Sequence, residues 1–74
     1  MTSDAERKLM KAFGKRVAAV RKSKNLTHQQ VAEATNMSVV AIAYIETGKR
    51  WARLGTLNKI SNVLKVKVSD LFDF

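Results

Sequence analysis

The chain holds few groups that could carry out a reaction. It has one histidine, His28, no cysteine and six carboxylates, none in the paired pattern that general acid–base work needs. It also lacks a glycine-rich phosphate loop. Nothing assembles a nucleophile with a base or a set of metal ligands, so an enzyme is the weakest reading, and no cofactor or metal is expected. The residues present can bind an anion. Fourteen Lys+Arg against six Asp+Glu leave a formal net charge of +8, with a pI of about 10.3. A domain this basic attracts polyanions.

The cations are segregated. Residues 1–25 carry Arg7, Lys8, Lys11, Lys15, Arg16, Arg21, Lys22 and Lys24 against Asp4 and Glu6. Residues 26–48 carry no Lys or Arg, only Glu33 and Glu46, and Lys49, Arg50 and Arg53 follow at once. A neutral-to-acidic segment between basic flanks suits phosphate contacts at the edges and base contacts in the middle.

Elements of defined geometry must position these groups. Seventy-four residues allow one domain, 1–74. No apolar run nears the roughly 18 residues of a membrane span, and Met1 to Glu6 lack the apolar region of a signal peptide. A cytoplasmic protein without a membrane partner is expected. Ser3 and Glu6 have capping-box spacing at the head of a helix over 3–24, whose stripe is Leu9, Phe13, Val17 and Val20 with Met10 beside it. Asn25 is its left-handed stop.

Thr27 and Gln30 start a second helix, with Leu26 and Val31 at staple positions, and it ends at Asn36. Ser38 starts a third, with Ile42 and Ile45 inward and Gly48 at its stop. Leu54, Leu57, Ile60, Ser61 and Leu64 repeat as a fourth, and Ser69 caps a last turn through Leu71 and Phe72. The spacing from Thr27 to Gly48 fits two short helices about a turn.

The stretch Leu26-Thr27-His28-Gln29-Gln30-Val31-Ala32 resembles the opening of the phage-repressor/Cro-type helix-turn-helix domain, the XRE family. Ser38, Ile42, Ile45-Glu46, Gly48-Lys49-Arg50, Leu54, Thr56-Leu57, Ile60 and Leu64 match its later positions. Val66-Lys67-Val68-Ser69-Asp70-Leu71-Phe72 resembles its final helix. The register runs without a gap over about residues 13–72.

The resemblance implies an all-α, compact five-helix lambda-repressor-like domain, with helices 2 and 3 as the helix-turn-helix. It implies a transcription regulator that binds double-stranded DNA as a homodimer on a palindromic operator, with the third helix in the major groove. Phage and plasmid repressors and restriction-modification controllers are among its small members. No small-molecule ligand is expected.

Residue by residue, the resemblance places Ser38, Val39, Val40, Ala43 and Tyr44 at base-facing positions. Ser38 can cap its helix or contact DNA. Exposed valines cannot hydrogen-bond a base edge, but they pack on thymine methyl groups. Thr27, His28 and Gln29 open the second helix, where free amides and the dipole favour phosphate; the family usually has Gln where His28 stands. Lys49, Arg50 and Arg53 lie in a loop that the family lays along the DNA backbone. Arg21 and Glu46 match a structural salt bridge. Trp51 is either a lid on the core or a phosphate anchor through its indole N–H.

Val66, Val68, Leu71, Phe72 and Phe74 make the C-terminus strongly apolar: part of it closes the core, and the remainder, Phe74 especially, points to a two-fold dimer interface through helices four and five. That would set the two reading helices about 34 Å apart. The rival reading is an antitoxin-like or adaptor module that docks a protein partner through the same apolar C-terminus. A membrane-surface role for the basic first helix is weaker, because the core needs its apolar face.

Overall fold

A computed structural model describes residues 3–74. The elements in order are α1 (Asp4–Ser23), α2 (His28–Thr35), α3 (Val39–Glu46), α4 (Leu54–Leu64) and a short 3-10 helix, Val68–Phe72. The all-α class holds. The expected fifth helix is a tighter 3-10 segment, and Ser69 does not cap it. Its start is held by Asp70, whose Oδ2 accepts from the Lys67 amide at 2.9 Å. Val66-Lys67-Val68 forms no strand.

Local chemistry accounts for the boundaries. The first amides of a helix have no partner within it, so a hydroxyl just ahead satisfies one of them. Ser3 Oγ accepts from Glu6, Thr27 Oγ1 from Gln30 and Ser38 Oγ from Ala41, each at 3.0–3.1 Å. Gln30 returns the bond to the Thr27 amide at 2.8 Å, which completes a capping box. Asn25 and Asn36 take φ of 58° and Gly48 takes 75° after their helices. Lys65 does the same at φ 58° after α4, a left-handed stop with no sequence signal.

The core is built from one face of each helix. Phe13, Val17 and Val20 of α1 meet Val31 and Ala32 of α2, Ile42 and Ile45 of α3, Leu57, Ile60 and Leu64 of α4, and Leu71. Burying each large side chain is worth about 1.5–3 kcal/mol. Helix α1, 20 residues and about 30 Å long, sets the 31 Å long dimension and packs on α3 and the 3-10 helix, while α4 packs on α2. Among the described residues, no helix is long and apolar enough to cross a membrane.

The stripes shift at two helix starts. Met10 is buried and Leu9 is exposed, because residues 3–9 all lie beyond the elements that pack on α1. Leu54 is exposed for the same reason: Arg53, Leu54 and Gly55 open α4 in solvent. Trp51 lies against Phe13 with ring centroids 5.6 Å apart, which makes it a cover on the core.

Helix α1 approaches the end of α3 very closely at Gly14. A Cβ there would stand 2.5 Å from the carbonyl oxygens of both Ile45 and Glu46. Backbone cannot yield as a flexible side chain can, so Gly14→Ala should force the helices apart. We expect a loss of about 1–3 kcal/mol, read as a fall in Tm of about 4–8 °C per kcal/mol in a thermal melt.

Candidate nucleic-acid interface

Helix α3 is eight residues long and divided lengthwise. Ile42 and Ile45 are buried behind it, while Val39, Val40 and Tyr44 are 44 %, 58 % and 45 % exposed in front. Ala43 is half-buried between them. Ser38 uses a lone pair of its hydroxyl to cap the helix and keeps its proton free to donate. Lys49 Nζ stands 5.4 Å from the centroid of the Tyr44 ring, at the far end of the same face.

One carboxylate holds this helix in place. Glu46 Oε2 accepts from Arg21 Nε at 2.7 Å, and its Oε1 accepts from Arg21 Nη2 at 3.0 Å. His28 Nε2 lies 2.8 Å from the same Oε1. Arg21 Nη1 donates to the Leu26 carbonyl at 2.7 Å. Arg21 and Glu46 are both buried, so the fork-to-carboxylate geometry is shielded from water. The end of α1, the α1–α2 turn, the start of α2 and the end of α3 therefore meet at one point.

The groups expected at phosphates lie at the head of α2 and in the loop after α3. Thr27 and Gln29 are exposed at the head of α2, and Gln29 Nε2 donates to Glu33 Oε1 at 3.3 Å. His28 is half-buried, held through Nε2, and its Nδ1 takes no part in that contact. Lys49, Arg50 and Arg53 are exposed in the loop after α3. Arg53 supplies only backbone to the start of α4, which has no side-chain cap. The helix-turn-helix family model matches residues 17–71, which takes in α2, α3 and this loop.

This chain belongs to the XRE-type helix-turn-helix family.

It is 33 % identical over 63 residues to the HTH-type transcriptional repressor RghR of Bacillus subtilis (strain 168), across 84 % of this chain and 47 % of that protein. The chain thus spans about half the length of that curated relative. The restriction-modification controller protein C.AhdI from Aeromonas hydrophila shares the fold, with a TM-score of 0.83 at 24 % identity over 85 % of this chain and 96 % of that one. The clp gene regulator ClgR from C. glutamicum is similar, with a TM-score of 0.83 at 25 % identity over 86 % and 82 %.

Within this helix-turn-helix domain, residues at two places lie away from where sequence reasoning put them. Leu71, counted among the dimer-interface residues, is fully buried and is the part of the apolar C-terminus that closes the core. Val66 and Val68 are half-buried against that core. Only Phe72 and Phe74 of the apolar C-terminus stay exposed; Phe72 stacks on Phe13 at 4.9 Å and Phe74 lies 6.5 Å from Phe72.

One member of the basic face of α1 also turns inward. Arg21 goes to Glu46, where the resemblance put it, whereas Arg16 Nε donates to the Asp70 carbonyl at 2.7 Å, clipping the 3-10 helix to α1. Sequence reasoning missed Gly14 and Arg16. A glycine inside a helical pattern is a visible signal, whereas an arginine aimed at a distant carbonyl leaves none.

Glu46→Ala would strand the buried Arg21 guanidinium. Such a loss costs about 3–5 kcal/mol, against a total of about 4–11 kcal/mol for a domain of this length. We expect the urea midpoint to fall by about a third or more, measured by circular dichroism.

Proposed function

We propose that this domain is a sequence-specific, double-stranded DNA-binding transcription regulator of the cytoplasm. In this reading the whole chain is one such domain. It acts as a homodimer on a palindromic operator, and α3 enters the major groove. The single observation that carries this reading is the two-sided α3: Val39, Val40 and Tyr44 stand in solvent while Ile42 and Ile45 anchor the helix from behind. A side chain that stands largely outside the core, on the outer face of a helix-turn-helix, is available to a base edge.

The charge pattern supports the same orientation. Ser38, Val39, Val40, Ala43 and Tyr44 face bases, and no Lys or Arg lies in 26–48 to compete for phosphate there. Thr27, His28 and Gln29 take a phosphate at the head of α2, and Lys49, Arg50 and Arg53 take others after α3. His28 comes to its phosphate already oriented by Glu46. Phe72 and Phe74, exposed side by side, form the centre of the two-fold contact between copies.

Selection from a pool of random duplexes tests this directly. A two-fold symmetric sequence should be enriched; recovery of unrelated sequences at equal affinity would overturn the reading. Six to ten phosphate contacts per dimer give a log–log salt slope of roughly −5 to −9. Arg50→Ala should weaken every duplex and flatten that slope by about 1 per subunit.

Phe74→Glu should shift the sedimentation equilibrium toward monomer and reduce affinity for the palindrome more than for a half-site. An unchanged dimer would remove Phe74 from the contact. Binding of a different protein through Phe72 and Phe74, with the chain monomeric on DNA, would favour an adaptor role.

A further inference from the structure

We propose that the α3 face registers the C5-methyl group of pyrimidines without separating thymine from 5-methylcytosine, so that cytosine methylation within the operator raises affinity. The proposal rests on the major-groove reading above and deepens it.

The argument begins with what α3 lacks. From Val39 to Ala43 the sequence is Val-Val-Ala-Ile-Ala, with no side chain that can donate or accept a hydrogen bond. The polar groups lie only at the ends. Ser38, whose Oγ accepts from the Ala41 amide, precedes the two valines, and Tyr44, whose ring lies beneath Lys49, follows them by a full turn, so neither stands at the positions of Val39 and Val40. Thr47 Oγ1 turns back to the Ala43 carbonyl at 2.8 Å. Gln29 of α2 donates to Glu33.

Two consecutive β-branched residues at the start of a short helix are also poor choices for folding. Val39 and Val40 stand exposed, so the core gains little from them in return. Charge complementarity names the occupant of this apolar face. It carries no Lys or Arg itself, the basic loop Lys49–Arg53 follows it directly, and Lys49 Nζ stands over the Tyr44 ring at its end, so the cations at its border suit a polyanion and leave the apolar face for the groove floor.

In the major groove, thymine shows an O4 acceptor and a C5-methyl group, and cytosine shows an N4–H2 donor and a bare C5. A hydrogen-bonding side chain would tell O4 from N4. Valine tells only whether a methyl group is present. A methylated cytosine therefore offers Val39 and Val40 the same apolar contact as thymine.

The test modifies the DNA and leaves the protein intact. In a duplex enriched by the selection above, each thymine is replaced in turn by deoxyuridine, which removes the methyl group and keeps every hydrogen-bonding group. Binding should weaken about four-fold at one or two positions per half-site, the value of one buried methyl. At those same positions a 5-methylcytosine·guanine pair should bind about four-fold tighter than an unmethylated cytosine·guanine pair. Val39→Ala or Val40→Ala should erase the sensitivity at its own position.

Deoxyuridine duplexes that bind like the parent would overturn the proposal, as would 5-methylcytosine that binds no better than cytosine at a position where deoxyuridine hurts. Selection that enriches no sequence would instead sink the groove reading itself, and this inference with it.

Discussion

The outward face is tied to the rest of the domain through a single buried carboxylate at the end of α3. Glu46 sits at the last position of α3, and its two oxygens receive Arg21 from α1 and His28 from α2. Helix–helix contacts made only of valine and isoleucine can slide by part of a turn at modest cost. A two-pronged guanidinium–carboxylate pair cannot, because both bonds require one orientation. The net stability such a buried pair adds over an apolar substitute is small. Its contribution here is directional: it sets the azimuth at which Val39, Val40 and Tyr44 leave the surface.

The glycine at position 14 is the steric counterpart of that bond. Arg21 reaches Glu46 where α1 lies directly on the final carbonyls of α3, and the missing side chain at Gly14 allows that approach. Gly48 works at the same junction, where a Cβ would meet Lys11 Cα at 2.8 Å while the chain turns at φ 75°. The crossing of α1 with the end of α3 thus joins close backbone packing to the buried charge pair.

Much of this was legible in the residues, and what was not has physical reasons. Helix starts could be read because Ser3, Thr27 and Ser38 have side chains that bond amides within three residues, a strictly local signal. Asn25, Asn36 and Gly48 ended helices through equally local backbone preferences. The Arg21–Glu46 pair spans 25 residues and came only from family resemblance, since no periodicity links the two. Leu9 and Met10 are neighbours of equal apolarity. Which one turns inward depends on where the packing partners of α1 stop, and only the assembled fold shows that. Leu71 and Phe74 have the same limit, because an apolar cluster near a chain end looks alike whether it fills a core or coats a surface. Of the interface, the two-sided α3 was legible, whereas the engagement of His28 with Glu46 was not.

Trp51 is the sole indole of the chain; it lies against the buried Phe13 ring and belongs to the loop that carries Lys49, Arg50 and Arg53. It is neither fully sequestered nor fully hydrated. Its emission therefore belongs to one place in the molecule, and any displacement of that loop alters the polarity around the chromophore. The domain carries its own spectroscopic gauge of contact at the basic rim, with no label to attach and no second tryptophan to confuse the signal.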